Sequence, residues 1–481
     1  MNPSELIALL PLIITAAVAL AVMLAMAIAR HHGLTVVLTV GGLTVLLAVL
    51  PLVAQHVPIM VTPLLGVDAP ALFYTGLVTL AAIATALLIY GYVGPGRTGR
   101  EELYLLLVIA LLGAIVLVSS RHFAAFFLGL ELVSVSLFAM LAYPRWRSQP
   151  LEAGIKYLIL SSLSSALILF GMALIYARLG TLEFAQIGER LTGAEMMTGY
   201  VLGGTALLLV GVGFKLSLVP FHMWTPDVYQ GAPAPVAGFL ATVSKGAVLV
   251  LLLRYFVESG AWALAPVITV LGLIAAASMI AGNLLALLQH NIKRILAYSS
   301  IAHFGYLLVA FLAAGELGIE AVSFYLVAYF VMTLGAFGVV TVCSSDAREA
   351  AELADYRGLA WRRPWLAGVF TAMLLSLAGI PLTAGFIAKF YVFAAGVGNA
   401  LWTLIGILVV TSIVALFYYL RIIVALFAAP EEGGGAPVPG GAIIAPISAA
   451  VLGVLALALV WLGVYPAPLI ATVRSMASGL L

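Results

Sequence analysis

Long apolar runs constrain this chain more than any other feature. They recur from end to end, near 5–29, 34–54, 70–93, 102–119, 122–142, 153–177, 199–231, 234–257, 262–288, 294–314, 320–343, 364–397, 400–428 and 442–465. A hydrocarbon core of ~30 Å is crossed by about 20 residues of apolar helix. The runs therefore predict an all-α polytopic membrane protein with about fourteen transmembrane helices. The first run could imitate a signal peptide, with small residues at Ala25 and Ala27. It is read as a span instead, because Glu5 leads it without Lys or Arg and thirteen more runs follow.

Composition closes off the other classes. Charged residues are 8% and hydrophobic residues 64% of the 481, against roughly 25% charged in a soluble domain. Disorder needs the opposite balance. The net charge of +2 comes with no basic tract to bind nucleic acid. Cys343 is the single cysteine, so the chain can build neither an internal disulfide nor a four-cysteine zinc or iron–sulfur site. No P-loop, helix-opening GxGxxG or HExxH occurs, and ATP hydrolysis, nicotinamide binding and zinc catalysis within the chain go unsupported.

Basic residues set the orientation. With the N-terminus outside, the inner connections hold twelve Lys or Arg residues, Lys293 and Arg294 among them. The outer ones hold Arg121, Arg178, Arg190, Arg254 and Arg474. Both termini are therefore expected outside. Glu431, Glu432 and Gly433–Gly435 read as a flexible loop, and the longest hydrophilic stretch is near 344–364.

Only five lysines are present, and Lys156, Lys215, Lys245 and Lys389 fall within the runs; the arginines are counted with the connections, Arg254, Arg294 and Arg421 lying toward the ends of their runs. A cation in hydrocarbon costs at least a few kcal/mol. Lysine, unlike arginine, can give up its proton when buried. Buried lysines without arginines suggest groups that exchange protons. Glu131 is the acid in mid-run, and opposite a lysine it would hold coupled protonation states. His222 and His303 lie at membrane depth, the latter with Tyr298, Ser299, Ser300 and Tyr306, which could hold water. Two runs look broken: Pro220, Pro226, Pro233 and Pro235 interrupt one, and Gly379, Pro381 and Gly385 the other. Each break lies beside a lysine, Lys215 or Lys389. Interrupted helices in corresponding halves point to an inverted-repeat transporter, with two five-helix units at spans 4–8 and 9–13.

Blander readings stand beside these. Lys156, about three residues into its run, could simply snorkel to the interface, and its reading stays open. Lys245, about eleven residues from either end, is beyond the reach of a ~6 Å stem. His222 and His303 could be hydrogen-bonded core residues. The seven tryptophans fit interface anchoring.

The segments GFKLSLVPFHMWTPDVYQGAPAPVAGFLATVSKGA (213–247), NIKRILAYSSIAHFGY (291–306), GIPLTAGFIAKFYVF (379–393) and GLELVSVSLFAM (129–140) resemble the antiporter-like subunits of bacterial NADH–quinone oxidoreductase, respiratory complex I. The resemblance covers essentially the whole chain. The GIP-GF-K element is shared with subunits L and M and with multi-subunit sodium/proton antiporters. Asp227 to Pro233, Lys389 where subunit M would carry glutamate, and the stop soon after the last run favour the subunit N family. The resemblance implies an N-terminal three-helix segment (1–95), two inverted five-helix repeats (96–258 and 259–428) and a C-terminal helix and tail (429–481). It implies a proton pathway through Glu131, Lys215, Lys245 and Lys389, with Lys156, His222 and His303 as auxiliary members. It also implies a translocase subunit without redox chemistry or metal of its own. NADH, FMN, iron–sulfur clusters and quinone would belong to partner subunits. The expected neighbours are subunits K and M and lipids, with the hydrophilic arm contacted indirectly, in a bacterial inner membrane with both termini periplasmic. The alternative is a subunit of a sodium/proton antiporter or membrane-bound hydrogenase complex. A scaffold without transport is a further one.

Overall fold

The computed structural model describes residues 2–93, 100–144, 147–191, 198–345, 348–429 and 445–479. The expected loop at Glu431–Gly435, the boundary near residue 95, and Arg97 and Arg145 of the orientation count lie outside the described residues. Apart from one small hairpin, Ile59–Thr62 against Leu65–Val67, the regular structure described is helical. This follows from the apolar composition, since a lipid-embedded backbone must satisfy its polar groups within the segment itself.

Among the described residues, twelve helices are long and apolar enough to cross a membrane. Glu102–Val118, Pro364–Ala378 and Ala384–Gly398 are shorter apolar helices. The runs foreseen as interrupted are interrupted: 199–231 divides into Gly199–Leu216 and Trp224–Gly231, and 364–397 into Pro364–Ala378 and Ala384–Gly398. After the final run the chain forms another helix, Ala467–Ser478, which the sequence did not signal.

The bundle has a distinct centre. The Ala234–Ser259 and Ile292–Leu312 helices are wholly enclosed by protein, and Gly315–Cys343 nearly so, whereas Leu10–Ile28 and His32–Ala54 leave most of their surface open. Small residues let neighbouring backbones close in. A side chain added at Gly171 would meet the Gly204 carbonyl at 2.5 Å, and one at Gly204 would meet the Gly171 carbonyl at 2.7 Å. This contact joins Ser148–Leu179 to Gly199–Leu216, the pair that brings together the serines and lysine described below.

Burial corrects the partition of charge. Lys156 lies inside the candidate span Ser148–Leu179, as its run expected, but its side chain is 41% exposed and pairs with Glu152 (2.7 Å) and Asp227 (2.9 Å). Lys293, assigned to a connection, is completely buried. Arg254, counted in an outer loop, lies inside the Lys245–Ser259 helix and is also buried. It is held by Asp68 at 2.6 and 2.8 Å, and Asp68 also accepts from Arg121 (2.8 Å). Asp68 caps the Ala69–Val93 helix through Ala71 N–H (2.8 Å). The sequence missed this cluster because Asp68 and Arg254 are 186 residues apart.

Removing one partner of a buried pair strands the other charge at about 3–5 kcal/mol. Asp68→Leu, which leaves the buried Arg254 with Glu258 alone at 3.5 Å, is therefore expected to lower the thermal unfolding midpoint of the detergent-solubilised protein markedly, and the Arg254→Met/Asp68→Leu double variant to lower it less. Equal midpoints for the two variants would contradict this account.

Candidate proton-transfer axis

Both helix breaks end in the same way. At the first, Ser217 adopts a left-handed conformation (φ 61°). Leu218 N–H bonds the Gly213 carbonyl (2.8 Å) and Ser217 N–H the Phe214 carbonyl (3.0 Å). At the second, Gly379 (φ 86°) takes that place, with Ile380 N–H on Leu375 O (3.1 Å) and Gly379 N–H on Ser376 O (2.9 Å). These are Schellman caps, which use carbonyls that a helix end leaves free. Side chains add to these bonds. Trp224 Nε1–H donates to Phe214 O at 3.0 Å, and Lys389 Nζ donates to Ala378 O at 2.8 Å. Lys389 thus reaches back across the break to the negative end of the preceding half-helix, where a cation is favoured. The half-helices meet so closely that a Cβ at Gly385 would lie 1.8 Å from the Ser376 carbonyl oxygen.

Lys215 is in the last turn before the first break, and its Nζ donates to Ser134 (2.7 Å) and Ser161 (2.6 Å). Glu131 does not contact it directly. Its carboxylate accepts from Ser165 at 2.5 Å, one helix turn from Ser161. Glu131 is half-buried on the flank between Phe123–Leu141 and Ser148–Leu179, close to Tyr157 and Ser161. The Tyr157 phenol lies among Ser134, Ser161 and Ser244, which links this first cluster to the residue before Lys245.

Lys245 follows a π-helical turn, Leu240–Ser244, inside the enclosed helix. Such turns insert an extra residue and often accompany functional positions. Its Nζ donates to Ser300 (2.9 Å) and lies 5.3 Å from the ring centres of both Tyr229 and Phe304. Tyr329 O–H donates to the same Ser300 at 2.7 Å. One turn along the Ile292–Leu312 helix, His303 joins Tyr325 through Nδ1 (2.8 Å) and Tyr419 through Nε2 (3.3 Å). Tyr419 in turn bonds Ser299. Lys389 Nζ stands 5.1 Å from the ring centre of Tyr306. The Tyr306 hydroxyl accepts from Asn283 (2.9 Å) and donates to Thr411 (3.4 Å).

The structure therefore brings Glu131, Lys215, Lys245, His303 and Lys389 into one buried polar series. Lys156 stands apart at the rim. His222 is buried at the first break, beside the Pro220 backbone. No carboxylate among the described residues forms an ion pair with Lys215, Lys245 or Lys389. Hydroxyls, phenols and ring faces surround these amines instead. Ser134, Ser161, Ser165, Tyr157, Tyr229, Tyr325, Tyr329 and Tyr419 were not foreseen. Their available signal was polar residues at helical spacing inside apolar runs, such as Ser161 and Ser165.

A buried row of lysines in a bundle with two interrupted helices defines a polytopic membrane protein of the antiporter-like class. The family described as NADH:quinone oxidoreductase/Mrp antiporter, transmembrane, matches residues 120–415. The chain is 50% identical over 475 residues to NADH-quinone oxidoreductase subunit N of Methylococcus capsulatus, covering 98% of this chain and 95% of the relative. It is 54% identical over 492 residues to the subunit N of Nitrosospira multiformis, with 99% and 97% covered. A chain in the structure of respiratory complex I from Thermus thermophilus with bound aureothin superposes with a TM-score of 0.82 at 36% identity, covering 96% of this chain and 99% of that one. A chain of the Mrp complex from Dietzia sp. has a TM-score of 0.87 at 21% identity, with 100% and 98% covered, a likeness of fold alone. The chain belongs to the subunit N family of NADH-quinone oxidoreductases.

The serine pair on Lys215 gives a direct test. A hydrogen bond to a charged group contributes about 1.5–3 kcal/mol. Ser161→Ala is expected to slow NADH-driven proton pumping about tenfold or more, read as acidification of inside-out vesicles with the complex assembled. An unchanged rate would remove Ser161 from the series.

Proposed function

We propose that this chain is the subunit of NADH–quinone oxidoreductase that moves protons through Glu131, Lys215, Lys245, His303 and Lys389, driven by electron transfer in partner subunits. The observation that carries the reading is the set of three buried amines without carboxylate partners, linked by hydroxyls and phenols through the enclosed helices. A structural core gains nothing from such groups, because an unpaired buried cation is costly. A proton path needs sites that can be charged or neutral at small cost. The 50–54% identity to subunit N proteins favours this reading over an antiporter or hydrogenase subunit.

Glu131 and Lys215 are the energy receiver in this reading. Here they are separated, Glu131 held by Ser165 and Lys215 by Ser134 and Ser161. Two charges brought to ~4 Å attract by about 4 kcal/mol at an effective dielectric of 20. Moving a proton outward against ~150 mV costs about 3.5 kcal/mol. Closing and opening one pair is therefore on the scale of one proton transfer. With the pair closed, Lys215 holds its proton. With the pair open, the proton passes by way of Tyr157 and bound water to Lys245, then past Ser300 and His303 to Lys389 and outward. Lys156 and His222 serve as auxiliary groups, at the inner rim and at the first break.

Counting the two halves of 364–398 as one crossing and Glu102–Val118 as another gives fourteen spans. The matching Schellman caps at the two breaks support two inverted five-helix units. Other complex I subunits are the partners. Subunits K and M are the proposed neighbours, with Glu131 on the accessible flank. NADH, FMN, iron–sulfur clusters and quinone are left to the rest of the complex. The proposed setting is a bacterial inner membrane with both termini periplasmic.

The test uses inside-out vesicles carrying Lys215→Ala or Lys245→Ala, with NADH-driven quinone reduction and acidification recorded together. The reading expects both to fall while the complex remains assembled. Normal rates of both would sink it.

A further inference from the structure

The fifth lysine lies off this series and is as deeply buried as any group on it. Lys293, one residue into the Ile292–Leu312 helix, has no solvent exposure. Its Nζ donates to Glu349 (2.9 Å) and to the Ala232 carbonyl (2.7 Å). Glu349 is also almost completely buried. Its other oxygen accepts from Tyr92 O–H at 2.5 Å and Ala234 N–H at 3.4 Å. Glu349 comes from the connection after Gly315–Cys343, and backbone pairing holds that connection in place. Ile292 N–H donates to Ala351 O (2.7 Å) and Leu353 N–H to His290 O (3.0 Å). The connection thus presses a carboxylate into the inner end of the bundle, on the side where Lys293 and Arg294 were assigned.

Two features tie this pair to Lys245. Lys293 and Ser300, the hydroxyl that holds Lys245, are seven residues apart on one helix. That spacing puts them on the same face about 10 Å apart. Tyr229 lies between the two levels. It is three residues before Ala232, which binds Lys293, and its ring is 5.3 Å from Lys245 Nζ. Its buried hydroxyl lies beside Ser300, the same hydroxyl that holds Lys245.

Building on the proposed proton path, we propose that Lys293 and Glu349 form the inner loading point that supplies protons to Lys245. A proton from the inner water first neutralises the Glu349 carboxylate and breaks the ion pair. Lys293, now an uncompensated ammonium, passes its proton by way of water and the Tyr229 hydroxyl to the neutral amine of Lys245. Glu349 then returns its proton to the Lys293 amine, and the ion pair re-forms. One proton has moved from the inner side to Lys245, with no other change.

A purely structural clamp predicts otherwise for two variants. Lys293→Arg keeps the cation and the pair, but arginine does not give up its proton. Lys293→Gln/Glu349→Gln removes both charges and strands neither. If the pair only ties the connection down, both variants pump normally. If it loads Lys245, both assemble and NADH-driven acidification of inside-out vesicles falls about tenfold or more. Native acidification by either variant overturns the inference. Lys245→Ala in the same vesicles separates the two levels. Loss there with native Lys293→Arg pumping rejects the loading point alone, whereas native pumping in both rejects the whole proton path.

Discussion

The cost of holding an ammonium away from water is the constraint around which this bundle is arranged. Three lysines lie in its interior without a carboxylate partner among the described residues, and each is held by neutral groups. Serine hydroxyls, a freed helix carbonyl and aromatic faces lower that cost without fixing the charge. A carboxylate in contact would favour the charged form of each amine. In the proposed relay, neutral surroundings let each amine alternate between charged and neutral. Arg254 shows the opposite design in the same molecule. Its guanidinium always carries charge, and two hydrogen bonds to Asp68 hold it. The guanidinium is paired with acid, whereas the three amines of the series are set among hydroxyls, a carbonyl and rings.

The broken helices serve the same end. A continuous helix consumes its own carbonyls, but a break leaves several free. Schellman caps take some, and Lys389 uses the carbonyl of Ala378. Lys215 lies at the last turn before its break, where the helix dipole favours a cation. Lys245 has no break, and a π-helical turn precedes it instead. In each case an irregularity in the backbone accompanies a buried amine; the π-helical turn is enclosed by protein, whereas Met223 and Leu382 at the two breaks are exposed.

Much of this was legible in the sequence. The apolar runs gave the all-helical membrane class, because only an internally hydrogen-bonded backbone survives in hydrocarbon. Pro220 and Gly379–Pro381–Gly385 gave the breaks, because neither residue type sustains a helix there. Lys215, Lys245 and Lys389 stood out because lysine is so scarce in this chain. Lys156 and Lys293 were the instructive pair. Their run assignments placed the first within the membrane and the second in a connection. The structure exposes Lys156 beside Glu152 and Asp227 and buries Lys293 beneath Glu349. Hydropathy locates a residue along the membrane normal, but it does not say which neighbours cover that residue.

The sequence by itself determined the class of the protein and the positions of the helix breaks, and it singled out the scarce lysines, because each follows from local chemistry: apolar length, missing backbone donors and side-chain charge. Only the tertiary structure decided how those residues connect. Ser134 and Ser161 meet Lys215 across 81 and 54 residues of chain, and Glu349 reaches Lys293 across 56. Helical spacing specifies contacts over three or four residues. Contacts over fifty or more depend on which helices pack together, and in this bundle close approaches such as Gly171 against Gly204 settle that packing.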